Sequence, residues 1–393
     1  MGISSLLIAR NSVLFVLEEF GVNITMLKDQ FITVQGKRFH KIWLRDNCLC
    51  PKCRHPTSFQ KLYDISERLD PPEILSVEES NEQLKIVWNE APPHHSTFSI
   101  PWLLNYAYDG QSKPPSVPEQ LLWDKAKLEK YLPQWHDAKS CNFESWSSTL
   151  FKLGFTLFRN MSFADLKPFL LSIAPILDVE YGEFAPVKTK PGANDLGETG
   201  YALSPHTDYP TRDYSSLLVC FYMVENSVQG GETILVDGFR LAQDFRNDCP
   251  DYFRILAETP IQFRQFYQDF RYFHYYKRPI FELNTNGEII RVNFAHSHSY
   301  NWNLPFEQME LFYKAYSAFF RYVKNPIYHY CFPLQSGDCL LMYNSRILHG
   351  RTAFDSNSGM RHLEVAYAVW DYLTARDRFN QYQHLYKHEE KVS

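Results

Sequence analysis

His206-Thr207-Asp208 and, far downstream, Leu348-His349-Gly350-Arg351 are the stretches that decide how this chain is read. Together they offer two imidazoles and one carboxylate, and no obvious fourth ligand adjoins them. Three protein ligands on one face leave open positions on a metal, the 2-His-1-carboxylate pattern of non-heme Fe(II) oxygenases. In a β-strand, residues two apart point to the same face, so His206 and Asp208 can chelate one ion together. The third ligand has to come from a strand near in space but distant in sequence. An H-x-D alone arises often by chance. Paired with a late H-G-R and followed by Arg361, it is far more specific.

A ferrous ion held this way needs electrons to activate oxygen. A bidentate 2-oxo acid supplies them and fills two open positions. Its far carboxylate then needs a cation at a fixed distance, and a guanidinium can grip it with two parallel hydrogen bonds. Arg361, twelve residues after His349 and next to an expected strand, is one candidate. Arg346 and Arg351, which flank the histidine, are the others.

Composition bounds the rest. The 393 residues are 45% hydrophobic and 16% aromatic, ample for a large domain and a smaller one. A net charge of -5 with no long Lys/Arg block argues against nucleic acid or an acidic membrane surface as partner. Ser4 to Leu17 is apolar, but Arg10 and Asn11 interrupt it and Glu18 and Glu19 follow. It is too short to span a bilayer and has no evident cleavage site. It reads as a helix or an extended start, in a soluble, cytoplasmic protein.

Eight cysteines in a chain this size do not form a disulfide scaffold. Cys48-x-Cys50-x-x-Cys53 places three thiolates within six residues, which favours metal binding in a reducing compartment. A structural zinc takes four ligands in a tetrahedron. His94 and His95 are candidates for the fourth. His55 is nearer in sequence, but its short loop would be strained.

Short β-prone runs at Phe31–Val34, Lys41–Leu44, Lys85–Trp88 and Thr97–Ile100 make residues 22–108 a small β-rich unit after an extension at 1–21. Asp109 to Pro115 opens a linker taken to run over 109–142. In the large domain, 143–393, Trp146–Leu153, Arg240–Phe245 and Pro305–Lys324 are expected helices. Phe155–Phe158, Leu217–Met223, Ile234–Val236, Cys339–Tyr343 and Leu363–Val369 are expected strands. Many strands with a few helices on one side suggest an α+β, mainly β, double-sheet architecture.

Trp43-Leu44-Arg45-Asp46-Asn47-Cys48-Leu49-Cys50, His206-Thr207-Asp208-Tyr209-Pro210, Gly230-Gly231-Glu232, Val236-Asp237-Gly238-Phe239 and Arg361-His362-Leu363-Glu364 extend over most of the chain. They resemble the γ-butyrobetaine hydroxylase and trimethyllysine dioxygenase family, in the clavaminate synthase-like branch of Fe(II)/2-oxoglutarate dioxygenases. The resemblance implies a double-stranded β-helix (jelly roll) behind a small zinc-bearing N-terminal domain, and a homodimer. It implies hydroxylation of an unactivated carbon of a small betaine or amine, with O2 as co-reactant and 2-oxoglutarate leaving as succinate and CO2. It assigns iron to His206, Asp208 and His349, the cosubstrate carboxylate to Arg361, and structural zinc to Cys48, Cys50, Cys53 and His94.

For the substrate pocket the resemblance points to Tyr181 and Tyr367, with Phe184 one turn from Tyr181 and Tyr201 close before the H-x-D. Aromatic faces hold a quaternary ammonium by cation–π attraction. The departures bear on the substrate. Glu198 stands where the family carries a cage tyrosine, Ala185 (or Phe184) where it carries a tryptophan, and Ala295 where an asparagine meets the substrate carboxylate. Asp195 follows the trimethyllysine pattern. A carboxylate at 198 suits an ammonium, including one that keeps N–H bonds. An amine or aminophosphonate is therefore a plausible alternative to γ-butyrobetaine itself. Lys188, Lys190 or His296 could meet the anionic end. Two other readings are a peptide side-chain oxygenase and a zinc-dependent interaction protein with a degenerate jelly roll.

Overall fold

The computed structural model describes residues 30–67, 72–80, 82–110, 119–189, 193, 195–214, 216–299 and 301–386. The apolar segment from Ser4 to Leu17 lies outside them, as does Lys190. The chain divides into two compact units at residue 117.

In the first unit, β1 (Phe31–Val34) and β2 (Lys37–His40) form a hairpin that runs into α1 (Lys41–Asp46). β3 (Ile74–Ser80), β4 (Gln83–Trp88) and β5 (His94–Ser99) form an antiparallel sheet, followed by α2 (Ile100–Asn105). Leu84, Ile86 and Trp88 alternate inward on β4, and Ser96 and Phe98 on β5. That is the two-residue period of a sheet with one buried face. Lys41–Leu44, expected as a strand, is instead the start of α1. Six residues are too few for a helical period to show, and the β-prone Ile42 and Trp43 mask it. The helix buries Leu44 and Arg45 and ends just before Cys48.

The second unit begins inside the expected linker. α3 (Lys125–Tyr131) and β6 (Trp135–Asp137) lie there, and Trp123 is fully buried. From residue 119 onward, therefore, 109–142 is part of the large fold. The apolar Leu122-Trp123 and Trp135 supply its anchors. α4 (Phe143–Leu153), β7 (Phe155–Arg159), α5 (Phe163–Leu171), β8 (Ala185–Lys188), β9 (Leu203–His206), β10 (Leu217–Asn226) and β11 (Thr233–Asp237) follow. Next come α6 (Gly238–Asp248), α7 (Pro250–Glu258), and the hairpins β12 (Ile261–Tyr267)–β13 (Tyr272–Arg278) and β14 (Phe281–Leu283)–β15 (Ile289–Val292). The chain closes with α8 (Phe306–Val323), β16 (Tyr330–Phe332), β17 (Cys339–Tyr343), β18 (Ile347–Arg351), β19 (Arg361–Val369) and α9 (Trp370–Tyr386).

Two sheets face each other, in the orders β6-β7-β17-β10-β19-β8 and β16-β11-β18-β9. They make a double-stranded β-helix, with helices packed outside. Strand alternation explains how both faces of the larger sheet are buried. Leu217, Val219 and Met223 of β10, with Leu363 and Val365 of β19, point between the sheets toward Leu235 and Ile347. Leu218, Cys220 and Tyr222, with Ala366 and Ala368, point outward against Trp146, Leu150 and Leu166. A third core gathers α6, α7 and α8 over the β14–β15 hairpin.

Candidate metal centre and cavity

His206 is the last residue of β9, and His349 is the middle residue of β18. The register pairs them directly, with Leu235 of β11 on the other side of His349. Gly350 permits this approach. A Cβ there would lie 2.6 Å from the Leu203 carbonyl oxygen and 2.9 Å from the Pro205 nitrogen. Asp208 follows the end of β9, and its backbone N–H and carbonyl are held reciprocally by the Asn344 side chain at 2.9 and 2.8 Å.

The three side chains converge. Asp208 Oδ1 lies 3.5 Å from His206 Nε2 and 3.4 Å from His349 Nε2. One donor atom from each falls within 4.8 Å of the others. His206 Nδ1 lies 2.9 Å from the Ser204 carbonyl. That contact favours the Nδ1–H tautomer, which leaves the Nε2 lone pair aimed at the cluster. Tyr367 donates its hydroxyl to Asp208 Oδ2 at 3.0 Å. Burial opposes ionisation of Asp208, but the two imidazoles outweigh it and hold the carboxyl well below its usual range. Two imidazoles and an ionised carboxylate converging from one side fit a divalent iron with open positions.

The cluster lies in the wall of a cavity of about 610 Å³, which Arg361, Arg351 and Phe221 also line. The three candidate arginines differ in what they already hold. Arg346 is fully buried and donates to both oxygens of Asp237, at 3.1 and 2.7 Å, and to the carbonyls of Lys152 and Leu121. Arg351 donates to the carbonyls of Gly197, Thr199 and Tyr201. Arg361 is buried, and its guanidinium makes no hydrogen bond or ion pair among the described residues. A buried guanidinium without an acceptor fits an anionic ligand.

Of the expected pocket residues, Tyr181, Asp195, Glu198 and Tyr367 line the cavity. Phe184 and Tyr201 do not. Ala185, the first residue of β8, lines the cavity, whereas Phe184, just before the strand, meets Phe163 at 6.2 Å. Tyr201 is 73% exposed and is anchored through its carbonyl by Arg351. His296 lines the cavity, whereas Lys188 is exposed and Ala295 is buried outside it.

Sequence reading missed Tyr209, Gln265, Tyr267 and His298, which all line the cavity. Tyr267 donates to Asp195 Oδ2 at 3.2 Å and accepts from Gln265 Nε2 at 2.7 Å. Its ring meets Tyr181 edge to face at 5.6 Å. The alternation of Phe263, Gln265 and Tyr267 on one face of β12 was the available signal.

In the first unit, His94 Nε2 lies 3.3, 3.7 and 3.5 Å from the sulfurs of Cys48, Cys50 and Cys53. The edge of a zinc tetrahedron joining sulfur to nitrogen is about 3.6 Å. The donor set therefore fits one tetrahedral ion. His95 and His55 are not among its members. Arg45, buried and paired with both oxygens of Glu90, donates to Cys53 at 3.2 Å. The Cys48 thiol first, and Arg45 with it, hold the Cys53 thiol below its ordinary value against the effect of burial. No helix among the described residues is long and apolar enough to cross a membrane.

Comparison with known proteins agrees with this geometry. The family model described as "Taurine catabolism dioxygenase TauD, TfdA family" matches residues 119–367, and "Gamma-butyrobetaine hydroxylase-like, N-terminal" matches residues 25–104. The chain is 28% identical over 353 residues to gamma-butyrobetaine dioxygenase of Pseudomonas sp. (strain AK-1), covering 86% of this chain and 89% of that protein. The human gamma-butyrobetaine dioxygenase matches with the same identity and coverage. Trimethyllysine dioxygenase of Meyerozyma guilliermondii is 27% identical over 361 residues, again covering 86% and 89%.

Proposed function

Because this chain belongs to the taurine catabolism dioxygenase TauD, TfdA family, we propose that it is a 2-oxoglutarate-dependent hydroxylase of a small zwitterionic amine or betaine, with His206, Asp208 and His349 as its iron ligands. The observation that carries this reading is the convergence of those three side chains in the cavity wall. Fe(II) with 2-oxoglutarate supplies the oxygen activation needed to hydroxylate an unactivated carbon, with succinate and CO2 released. The chain's own residues position and shield that chemistry. The Ser204 carbonyl fixes the His206 tautomer, and Tyr367 orients the Asp208 carboxylate. Arg361 binds the far carboxylate of 2-oxoglutarate. Phe221, Leu363 and Val365 give the cavity dry walls. Asp195, Glu198 and the tyrosines face the substrate.

Oxygen-dependent succinate release, with iron and 2-oxoglutarate present, tests the reading across γ-butyrobetaine, trimethyllysine and trimethylaminoethylphosphonate. At least one is expected to stimulate release. Absence of 2-oxoglutarate turnover with every compound, and without any, would overturn it.

The Cys48, Cys50, Cys53 and His94 cluster is a structural zinc site in the same reading, since four protein ligands leave no open position. Full-length protein is expected to carry one zinc per chain. Cys53→Ala is expected to lose that zinc and to melt at a lower temperature, because binding energy at such sites is folding energy. Stoichiometric zinc retained in the variant would refute the assignment. Family resemblance supports a homodimer, and the thiolate-rich cluster a reducing, cytoplasmic setting.

A further inference from the structure

The residue after the carboxylate ligand is held in a backbone conformation that its side chain disfavours. Tyr209 has a φ of +53°, in the left-handed region. Residues other than glycine, asparagine and aspartate rarely go there, because Cβ crowds the following carbonyl oxygen. Pro210 opposes the same conformation a second time, since a proline biases the residue before it toward extended backbone with negative φ. Such strain persists only where the surroundings over-determine it, and it gathers at functional sites.

The surroundings here grip the side chain from several directions. The Tyr209 hydroxyl donates to Glu180 Oε1 at 3.3 Å, and Gln265 Nε2 donates to the same oxygen at 3.3 Å. The other oxygen of this buried carboxylate pairs with Arg212. The Arg212 guanidinium in turn lies over the Tyr209 ring at 4.7 Å, and over Tyr214 and Tyr272 at 5.3 and 4.9 Å. The Tyr209 ring also meets Tyr214 and Tyr367 edge to face, at 5.8 and 4.8 Å.

Two links join this turn to the metal cluster. Tyr209 sets the direction in which the chain leaves Asp208, whose own backbone is fixed by Asn344. Its ring also packs against Tyr367, the residue that donates to Asp208 Oδ2 at 3.0 Å. Relaxation of φ to a negative value would turn the chain after Asp208 and carry the Tyr209 ring away from Tyr367 and Arg212. We infer that Tyr209 is a positioning residue for the iron: clamped by Glu180 and Arg212, it holds a strained turn that points the Asp208 carboxylate at the metal. This rests on the assignment of iron to His206, Asp208 and His349.

The test titrates iron-free protein that keeps its zinc with Mn(II), by calorimetry, so that affinity is read without turnover. Tyr209→Ala is expected to bind roughly 10–100-fold more weakly than the parent, the usual range for groups that orient a metal ligand. Tyr209→Gly is expected to bind more tightly than Tyr209→Ala by about threefold or more, because glycine takes a positive φ at no steric cost. Tyr209→Asn against Tyr209→Leu repeats the comparison at similar volume, with the asparagine expected ahead by a like factor. That pair decides the matter if melting curves show that the alanine variant does not fold. A residue that only filled space, or only touched substrate, would not rank its replacements by their tolerance of the left-handed region. Parent-like affinity in Tyr209→Ala would overturn the inference, as would glycine and asparagine variants no tighter than their counterparts. A parent that takes up no Mn(II), or a His206→Ala that binds it equally well, instead overturns the iron assignment beneath it.

Discussion

His206→Ala and Asp208→Ala are each expected to lower 2-oxoglutarate turnover by roughly a thousandfold or more, with little change in melting temperature. The magnitude follows from position. Losing a group that only orients a metal ligand typically costs about 10–100-fold. Removing one of three protein ligands leaves too few donors to hold iron in a defined geometry. Tyr367→Phe provides the internal comparison, because it deletes just the hydroxyl that meets Asp208 Oδ2. Its loss should fall within that 10–100-fold range, and it should retain iron. Succinate release, metal content and a thermal melt on the three variants check the ordering. Iron-dependent turnover above about a tenth of the parent value in His206→Ala would remove that histidine from the ligand set.

Which parts of this site could be read from sequence depended on the range of the interactions involved. The H-x-D and the C-x-C-x-x-C are local, so spacing alone exposes their metal-binding capacity. Pairing His349 with His206 is a matter of register between β18 and β9, set by strands from distant parts of the chain. The 2-His-1-carboxylate pattern joined them in advance, without the register that brings them together. The choice of Arg361 among three arginines came from the resemblance and not from spacing, because it depends on which acceptors each guanidinium already has. Arg346 serves Asp237 at the start of α6, and Arg351 closes a loop at residues 197–201. The pocket aromatics were hardest. With 25 Tyr and 30 Phe, an aromatic at any core position carries little information. A shift of one residue at the start of β8 made Ala185 rather than Phe184 the lining residue, and Tyr267 entered from a hairpin with no distinguishing motif. In α1, short length hid the helical period.

The same accounting of acceptors leads to the second large effect. Arg361→Met is expected to raise the KM for 2-oxoglutarate by roughly 30-fold or more, because truncating one partner of a buried charge pair costs about 2–5 kcal/mol. Burial alone pulls the free guanidinium down to about 10, so it remains a cation at neutral pH. Among the described residues, its guanidinium stands over the Phe354 ring, at 5.8 Å. A dicarboxylate would supply the acceptors the fold does not, and the gain is larger in a cavity than at a surface. Arg361→Lys should recover part of the affinity, since a lysine restores charge without the two-pronged geometry. Arg346→Met behaves differently on this argument. It strands Asp237 in the core and should appear as lost thermal stability, with cosubstrate affinity in the surviving folded protein near the parent value. Steady-state titration of 2-oxoglutarate, run beside melting curves, separates the two outcomes. An unchanged KM in Arg361→Met would show that another cation holds the cosubstrate.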